Sequence, residues 1–206
     1  MLRIVNDILS ALDSDNISVL LLLDLSAAFD TIDHQILFSR LNSVFGIQST
    51  ALQWFHSYLS DRYQSTSVSN SSSSPSQLMN GLPQDSVLGP ILFILYTTPL
   101  SDIIANHSVN HQLFADDTQF QKSAPRSEVT NLTKELSACT YDIKTWMTEN
   151  QLKLNDDKTE ALLFPFSSSL KPSTVSIPDS ITLGSHNTLS LILTGTLDSF
   201  LTQNCP

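Results

Sequence analysis

The sequence predicts an α+β fold in which helices pack on one face of an antiparallel sheet. Three observations support this class. A short apolar run ends at Asp24, and a second strand-like pattern brackets Asp116 and Asp117. Between and around them, apolar residues recur at helical spacing. The patterns follow the order helix, strand, helices, hairpin, helix, hairpin, helix, which is typical of a sheet covered by helices.

Helical spacing predicts a short amphipathic helix before the first strand, with Leu2, Val5, Leu9 and Leu12 on its apolar face. A second helix spans residues 36–44 and ends before Gly46, a suitable C-terminal glycine. Ser49 is expected to cap a third helix. Pro90 opens an almost wholly apolar segment, Ile91 to Tyr96, that predicts a buried helix. A long amphipathic helix is marked by Val129, Leu132, Leu136, Ile143 and Met147.

The β patterns are shorter. Val19 to Leu23 predicts a buried strand, and residues 62–69 and 77–80 predict two strands around a serine-rich loop at residues 70–76. His111 to Ala115 and Thr118 to Lys122 predict a hairpin whose turn holds Asp116 and Asp117.

Composition limits the function. The chain has 206 residues, 41% of them hydrophobic, and a formal net charge of −10. That apolar fraction supports a real core, whereas the negative charge argues against a self-sufficient nucleic-acid-binding surface. Cys139 and Cys205 lie far apart without metal-ligand spacing, so neither a zinc site nor a disulfide framework is expected.

The first residues lack the apolar core of a secretory signal, and the run Val19 to Leu23 is too short to span a bilayer. We therefore expect an intracellular chain, in the cytoplasm or the nucleus, with no membrane partner.

Asp24, Asp116 and Asp117 carry the chemical argument. Strands that are distant in sequence can lie side by side, which would bring these three carboxylates to one place. Their mutual repulsion would be costly unless they held divalent cations. This predicts Mg²⁺, with Mn²⁺ as an alternative, and two-metal phosphoryl transfer. Each aspartate taken singly also fits an ordinary solvated turn.

Four stretches of the chain follow one another in a recognisable order, beginning with LLDLSAAFDTIDH at Leu22 to His34 and the segment Gly81 to Pro90. These two stretches resemble motifs A and B of reverse transcriptases from non-LTR, LINE-type retrotransposons. Phe114 to Asp117 resemble motif C. The pattern of motif D is matched by Trp146, Asn150, Leu152, Leu154, Asn155, Lys158 and Thr159.

The resemblance implies a role for each matching residue. Asp24, Asp116 and Asp117 would hold the metal ions. Lys158 would be the general acid for the departing pyrophosphate, although it also fits a solvated surface lysine. His34 fits a residue at a helix start better than a catalytic one. The fold implied is a polymerase palm, and the partners implied are an RNA template and a DNA primer.

The nucleotide site would come from motifs A and B. Ser26, Ala27 and Ala28 would offer backbone N–H groups to the triphosphate. Phe29 would be the aromatic gate that rejects a ribose 2′-OH, or simply a core phenylalanine. Gln84 would contact the incoming nucleotide or the template base, or else be an exposed loop residue.

Three features depart from the family. Asp85 replaces a family glycine beside the nucleotide pocket, which adds a Cβ and a negative charge. Only about twenty residues precede motif A, so we expect the fingers to be missing. No thumb segment is recognised after motif D, so we expect the thumb to be missing as well. The segment from Leu189 to Ser199 is a blurred copy of a family segment. We therefore divide the chain into a palm fragment at residues 1–165 and a degraded or poorly ordered segment at residues 166–206.

Two hypotheses follow, and a third is weaker. The chain is the palm of an RNA-directed DNA polymerase, or it is a catalytically inactive retrotransposon relic or interaction module. An unrelated Mg²⁺ phosphatase or nuclease lacks support, because Asp24-Leu-Ser has no second aspartate. Exposed apolar helix faces predict self-association, which a monodisperse monomer in light scattering would contradict.

Overall fold

The computed structural model describes residues 2–69, 71–114, 117–165, 180–183 and 187–193. The helices of the described part are α1 (Leu2–Asp13), α2 (His34–Ser43), α3 (Ser49–Leu59), α4 (Gly89–Asn106) and α5 (Val129–Glu149). A short 3-10 turn, Arg126–Glu128, precedes α5. The strands are β1 (Asn16–Leu23), β2 (Tyr63–Gln64), β3 (Ser67–Val68), β4 (Ser71–Ser72), β5 (Ser76–Gln77), β6 (Asn110–Phe114), β7 (Asp117–Pro125), β8 (Glu160–Phe164), β9 (Ser180–Leu183) and β10 (Asn187–Leu193).

The main sheet has the strand order β6-β7-β1-β8-β10-β9. Strand β1 lies between β7 and β8 and is antiparallel to both. Strand β10 runs parallel to β8 and antiparallel to β9. The α+β fold predicted from the sequence is confirmed, with the two acidic motifs on neighbouring strands. The boundary at residue 165 stays a prediction.

Alternation along β1 divides the core between the two faces of the sheet. The odd-numbered residues Ile17, Val19, Leu21 and Leu23 join the larger cluster, which also includes buried residues from α2, α3, α4 and α5. The even-numbered Leu20 and Leu22 join a smaller cluster with residues of α1. Four helices therefore lie on one face of the sheet, while α1 packs on the other.

The apolar face of α1 differs from the sequence prediction. Ile4 and Ile8 are buried against β1 and β8, and the predicted Val5 and Leu12 are partly buried beside them, whereas the predicted Leu9 is 45% exposed. Several leucine spacings fit a helix equally well, and contact with the sheet selects the stripe that contains Ile4 and Ile8.

Helix α4 is longer than the predicted segment and continues through Pro99. It is also only partly buried. Leu92, Phe93 and Tyr96 are inaccessible to solvent, but Ile91 and Ile94 are about half exposed. The prediction of a buried helix is thus right for one face of α4 and wrong for the other.

Short ladders replace the longer strands expected after α3. Strand β2 pairs with β5, and β3 pairs with β4, each through two residue pairs. The serine-rich segment predicted as a loop contains β4. No helix among the described residues is long and apolar enough to cross a membrane.

Candidate active site

Asp24 follows directly after β1, at the edge of the sheet where motif C also lies. The register of β1 with β7 ends with Leu23 opposite Thr118. One further step places Asp24 opposite Asp117. Leu23 and Leu25 both point into the larger core, so the intervening Asp24 faces the opposite side of the sheet. The two carboxylates therefore lie on the same face of adjacent strands.

Strands β6 and β7 pair as the hairpin predicted from the sequence, but Asp117 is the first residue of β7 rather than part of the turn. Phe114 at the end of β6 pairs with Asp117 at the start of β7. Asp117 is exposed, and Asp116 lies outside the described residues. Among the residues with a described position, no three His, Cys, Asp or Glu side chains form a group that could hold a metal ion. Asp24 and Asp117 supply hard oxygen donors, which are the type that a divalent cation requires.

Lys158 is also brought to Asp24. Its Nζ lies 4.0 Å from Asp24 Oδ2, with the lysine side chain 71% exposed and the aspartate 31%. The backbone holds the same two segments together, because the Asn155 N–H donates to the Asp24 carbonyl at 2.9 Å. Because both side chains are partly exposed, the ion pair contributes little to stability. It matters because it places Lys158 beside the Asp24 carboxylate.

The small residues of motif A form a tight turn against motif D. The Ser26 N–H donates to the Lys153 carbonyl at 2.9 Å, and Leu25 forms an isolated bridge with Leu154. Ala27 is exposed with a φ of +49°, whereas Ala28 is buried. A triphosphate at this turn would compete with Lys153 for the Ser26 N–H. The nucleotide-binding role of Ser26, Ala27 and Ala28 stays a prediction.

Phe29 lies half-buried beside helix α4. Its ring stacks on that of Phe93, with centroids 5.0 Å apart and an interplanar angle of 25°. Its carbonyl accepts the Leu82 N–H at 2.8 Å, which joins motif A to motif B. This packing suits both interpretations of Phe29, because a gate residue also needs a rigid support.

Gln84 reaches back to motif A, where its Nε2 donates to Asp30 Oδ1 at 2.9 Å. Both side chains are exposed. The bond places Gln84 near the motif A turn, which is where a nucleotide contact would require it.

Gly81 is a residue whose structural importance the sequence reading missed. It has a φ of +87°, and a Cβ built on it would lie 2.9 Å from the Asp30 carbonyl oxygen. Its own carbonyl accepts from Arg62 Nη1 at 3.2 Å and bonds His34 Nε2 at 2.8 Å. His34 is therefore the first residue of α2 and a link to motif B. The sequence shows a glycine at the start of motif B, but it does not show which residues that glycine contacts.

Asp85, the departure from the family glycine, has a left-handed backbone with a φ of +56°. Glycine adopts this conformation without the steric cost that a Cβ brings. We therefore expect Asp85→Gly to raise the free energy of unfolding by about 0.5–1 kcal/mol, as measured by urea denaturation.

Asp85→Asn provides the control for that substitution, because it removes the charge and keeps a side chain that tolerates this backbone. It should leave the stability near that of the parent. If Asp85→Asn stabilises as much as Asp85→Gly, then charge rather than backbone strain is the cause.

The arrangement defines a class of protein. Two acidic motifs on adjacent antiparallel strands, with helices behind the sheet, form the palm of a template-directed polymerase.

Solved structures share this fold. The apo telomerase of Candida tropicalis, truncated from its C-terminal domain, aligns with a TM-score of 0.59 and 13% identity over 87% of this chain and 36% of its own. A Candida albicans telomerase in complex with a fragment of telomeric RNA aligns with a TM-score of 0.59 and 12% identity over 88% of this chain and 31% of its own.

The sequence comparisons identify the family. Residues 3–189 match the model of the family described as reverse transcriptase (RNA-dependent DNA polymerase). The chain belongs to the reverse transcriptase family, and the prediction of a non-LTR retrotransposon type is confirmed.

Two Drosophila melanogaster proteins are similar to it. One is a probable RNA-directed DNA polymerase from transposon BS, 29% identical over 76% of this chain and 17% of that protein. The other is the RNA-directed DNA polymerase from mobile element jockey, 31% identical over 56% of this chain and 13% of that protein. The chain thus spans less than a fifth of either relative.

Proposed function

We propose that this chain is the palm that performs nucleotidyl transfer in an RNA-directed DNA polymerase, joining deoxynucleotides to a primer 3′-OH. One observation supports it above the others. Asp24 directly follows β1, one step beyond the pair of Leu23 with Thr118, so it lies beside the start of motif C strand β7 at Asp117; its Oδ2 is 4.0 Å from Lys158 Nζ of motif D. Three motifs that are far apart in the sequence therefore converge at one edge of the sheet.

Asp24, Asp116 and Asp117 would hold divalent cations, Mg²⁺ or Mn²⁺, which supply charge stabilisation and a more nucleophilic 3′-OH when bound. In the reaction the primer 3′-OH loses its proton to water, its oxygen forms a bond to the α-phosphorus, and the bond from that phosphorus to the bridging oxygen breaks. Pyrophosphate leaves with the negative charge. Lys158, whose Nζ lies 4.0 Å from Asp24 Oδ2, is placed to give a proton to that leaving group.

Motifs A and B would position the nucleotide. Phe29, whose ring stacks on that of Phe93, would limit the space at the sugar. Gln84 would contact the base or the sugar, either by releasing its hydrogen bond to Asp30 or while keeping it. The turn at Ser26, Ala27 and Ala28 would lie beside the phosphates. Each of these assignments is supported both by the family resemblance and by a contact that the residue makes in the structure.

The partners we propose are an RNA template and a DNA primer. The chain carries 10 Lys and Arg residues against 20 Asp and Glu residues. Because cationic contacts with phosphates supply much of the affinity for nucleic acid, we expect weak and strongly salt-dependent binding by this chain.

Primer extension on a poly(rA)/oligo(dT) template with Mg²⁺ or Mn²⁺ tests the proposal. We expect weak extension that Asp24→Asn lowers by about 10²–10³-fold, because it removes a charged group from the reacting centre. Asp102→Asn is the matched control, since Asp102 is an exposed residue of α4. It should leave extension unchanged.

The second candidate function is an inactive relic or interaction module. Asp85 favours it, because a carboxylate in the motif B turn would repel a triphosphate. Absence of extension by a chain with normal circular dichroism, at low salt and with either cation, would favour this candidate and contradict the first.

A further inference from the structure

Arg40 of α2 lies at the junction of three helices. Its guanidinium lies 4.8 Å from the centre of the Tyr96 ring on α4 and 5.4 Å from that of the Trp146 ring on α5. Its Nη1 donates to the Tyr96 carbonyl, and its Nη2 donates to Asn150 Oδ1 at 2.6 Å. A planar fork flanked by two rings is the geometry that arginine provides and lysine does not.

Asn150 receives this contact at the end of α5. Its Nδ2 donates to the Trp146 carbonyl at 2.7 Å, and its own carbonyl accepts the Tyr96 hydroxyl at 2.7 Å. Burial raises the pKa of Tyr96 to about 12, so that hydroxyl keeps its proton at neutral pH. Arg40 and Tyr96 together therefore fix both the side chain and the carbonyl of Asn150.

The chain turns sharply after Asn150 towards motif A. Gln151 has a φ of +56°, and the Leu152 N–H donates back to the Met147 carbonyl at 2.8 Å. This is a helix-ending turn that sets the direction of the segment that follows. We call residues 150–158 the motif D loop.

The motif D loop then runs along motif A. Leu152 and Leu154 are buried, the Lys153 carbonyl accepts the Ser26 N–H, and the Asn155 N–H donates to the Asp24 carbonyl. Lys158 follows three residues after Asn155, and its Nζ lies 4.0 Å from Asp24 Oδ2. A continuous path of contacts therefore connects Arg40 with the lysine beside the carboxylates.

We propose that Arg40 is a positioning residue that clamps Asn150 and thereby docks the motif D loop, with Lys158, against Asp24. The docking itself is a property of the fold. Only the consequence for proton donation by Lys158 rests on the proposed function. The sequence alone does not indicate this role, because the partners of Arg40, Tyr96 and Asn150, are 56 and 110 residues away.

Removal of the guanidinium should act locally. Arg40→Met keeps much of the aliphatic volume but leaves Asn150 Oδ1 and the Tyr96 carbonyl without this donor. The loop then keeps its backbone hydrogen bonds, its two buried leucines and the bond from the Tyr96 hydroxyl, but the side-chain oxygen of Asn150 is no longer held. We expect more frequent local opening of the loop from motif A, while the central strands stay closed.

Amide hydrogen exchange measured by NMR on the whole chain tests this. In Arg40→Met, exchange at Ser26 and Asn155 should accelerate at least about tenfold more than at Leu21, which lies in the β1–β7 ladder. Arg62→Met is the matched control, because Arg62 also donates to a buried carbonyl but contacts Gly81 instead. It should leave the ratio of Ser26 and Asn155 to Leu21 unchanged.

Arg40→Lys keeps the charge but cannot present two donors in a rigid fork, so it should give an intermediate ratio. It also serves as the test if Arg40→Met does not fold. Equal acceleration at all three amides, or none at Ser26 and Asn155, overturns the proposal. Because no readout here requires polymerase activity, failed primer extension would contradict the proposed function and leave this result standing.

Discussion

Substitution of Gly81 by alanine is expected to lower the free energy of unfolding by about 2–5 kcal/mol. Two costs add. An L-residue at a φ of +87° is strained by about 1–2 kcal/mol. The new Cβ would also lie 2.9 Å from the Asp30 carbonyl oxygen and 3.1 Å from Asp30 Cα. Forcing a methyl group into such a contact typically costs about 1–3 kcal/mol. Urea denaturation measures the total.

Gly46 provides a matched control within the same chain. It too has a positive φ, of +66°, but a Cβ there would meet nothing within 4 Å. Gly46→Ala should therefore cost only the backbone strain, about 1–2 kcal/mol. Equal losses at the two positions would show that the close approach of motifs A and B at Gly81 is not as tight as described. The Gly81 variant should also weaken any primer extension, since Asp30 and Phe29 would be displaced.

Substitution of Phe93 by alanine is expected to cost about 3–5 kcal/mol, the usual range for removing a buried aromatic ring. Phe93 is fully buried on α4, and it supports the ring of Phe29. The variant should lower the midpoint of urea unfolding strongly. It should also loosen Phe29, which would appear as altered ring resonances in NMR spectra.

Ile94→Ala is the control for Phe93, because Ile94 is the next residue of the same helix but 52% exposed. Its effect should be within about 0.5 kcal/mol, as is usual for surface positions. A large loss at Ile94 would mean that this face of α4 is covered, for example by another copy of the chain. A small loss at Phe93 would contradict the core described for the sheet and α4.

Much of the fold could be predicted because it depends on local patterns. The run ending at Asp24, the hairpin around Asp117 and the long helix α5 have unambiguous periods and match the structure. The candidate metal ligands and Lys158 were predicted from motifs, and the structure brings Asp24, Asp117 and Lys158 to one edge. Asp116 lies outside the described residues, so its role stays a prediction.

Other features were beyond the sequence because they depend on what each segment contacts. Several leucine spacings fitted α1, and only the sheet selected the stripe of Ile4 and Ile8. The apolar segment of α4 could not show which side would be left exposed. The strain at Asp85 and the tight contact of Gly81 with Asp30 follow from backbone geometry that no local pattern reports.

The sequence by itself determined the family, the order of the helices, and the chemical groups available at the site. Short-range periodicity and ordered motifs are properties of the chain alone, so they need no neighbours to be read. The tertiary structure decided which groups meet. The Asn155 N–H reaches the Asp24 carbonyl, and Arg40 reaches Asn150, across more than 100 residues of chain. Such pairings depend on how helices and strands pack in three dimensions, because the hydrogen bonds that stabilise them form only after the hydrophobic core has brought the segments together.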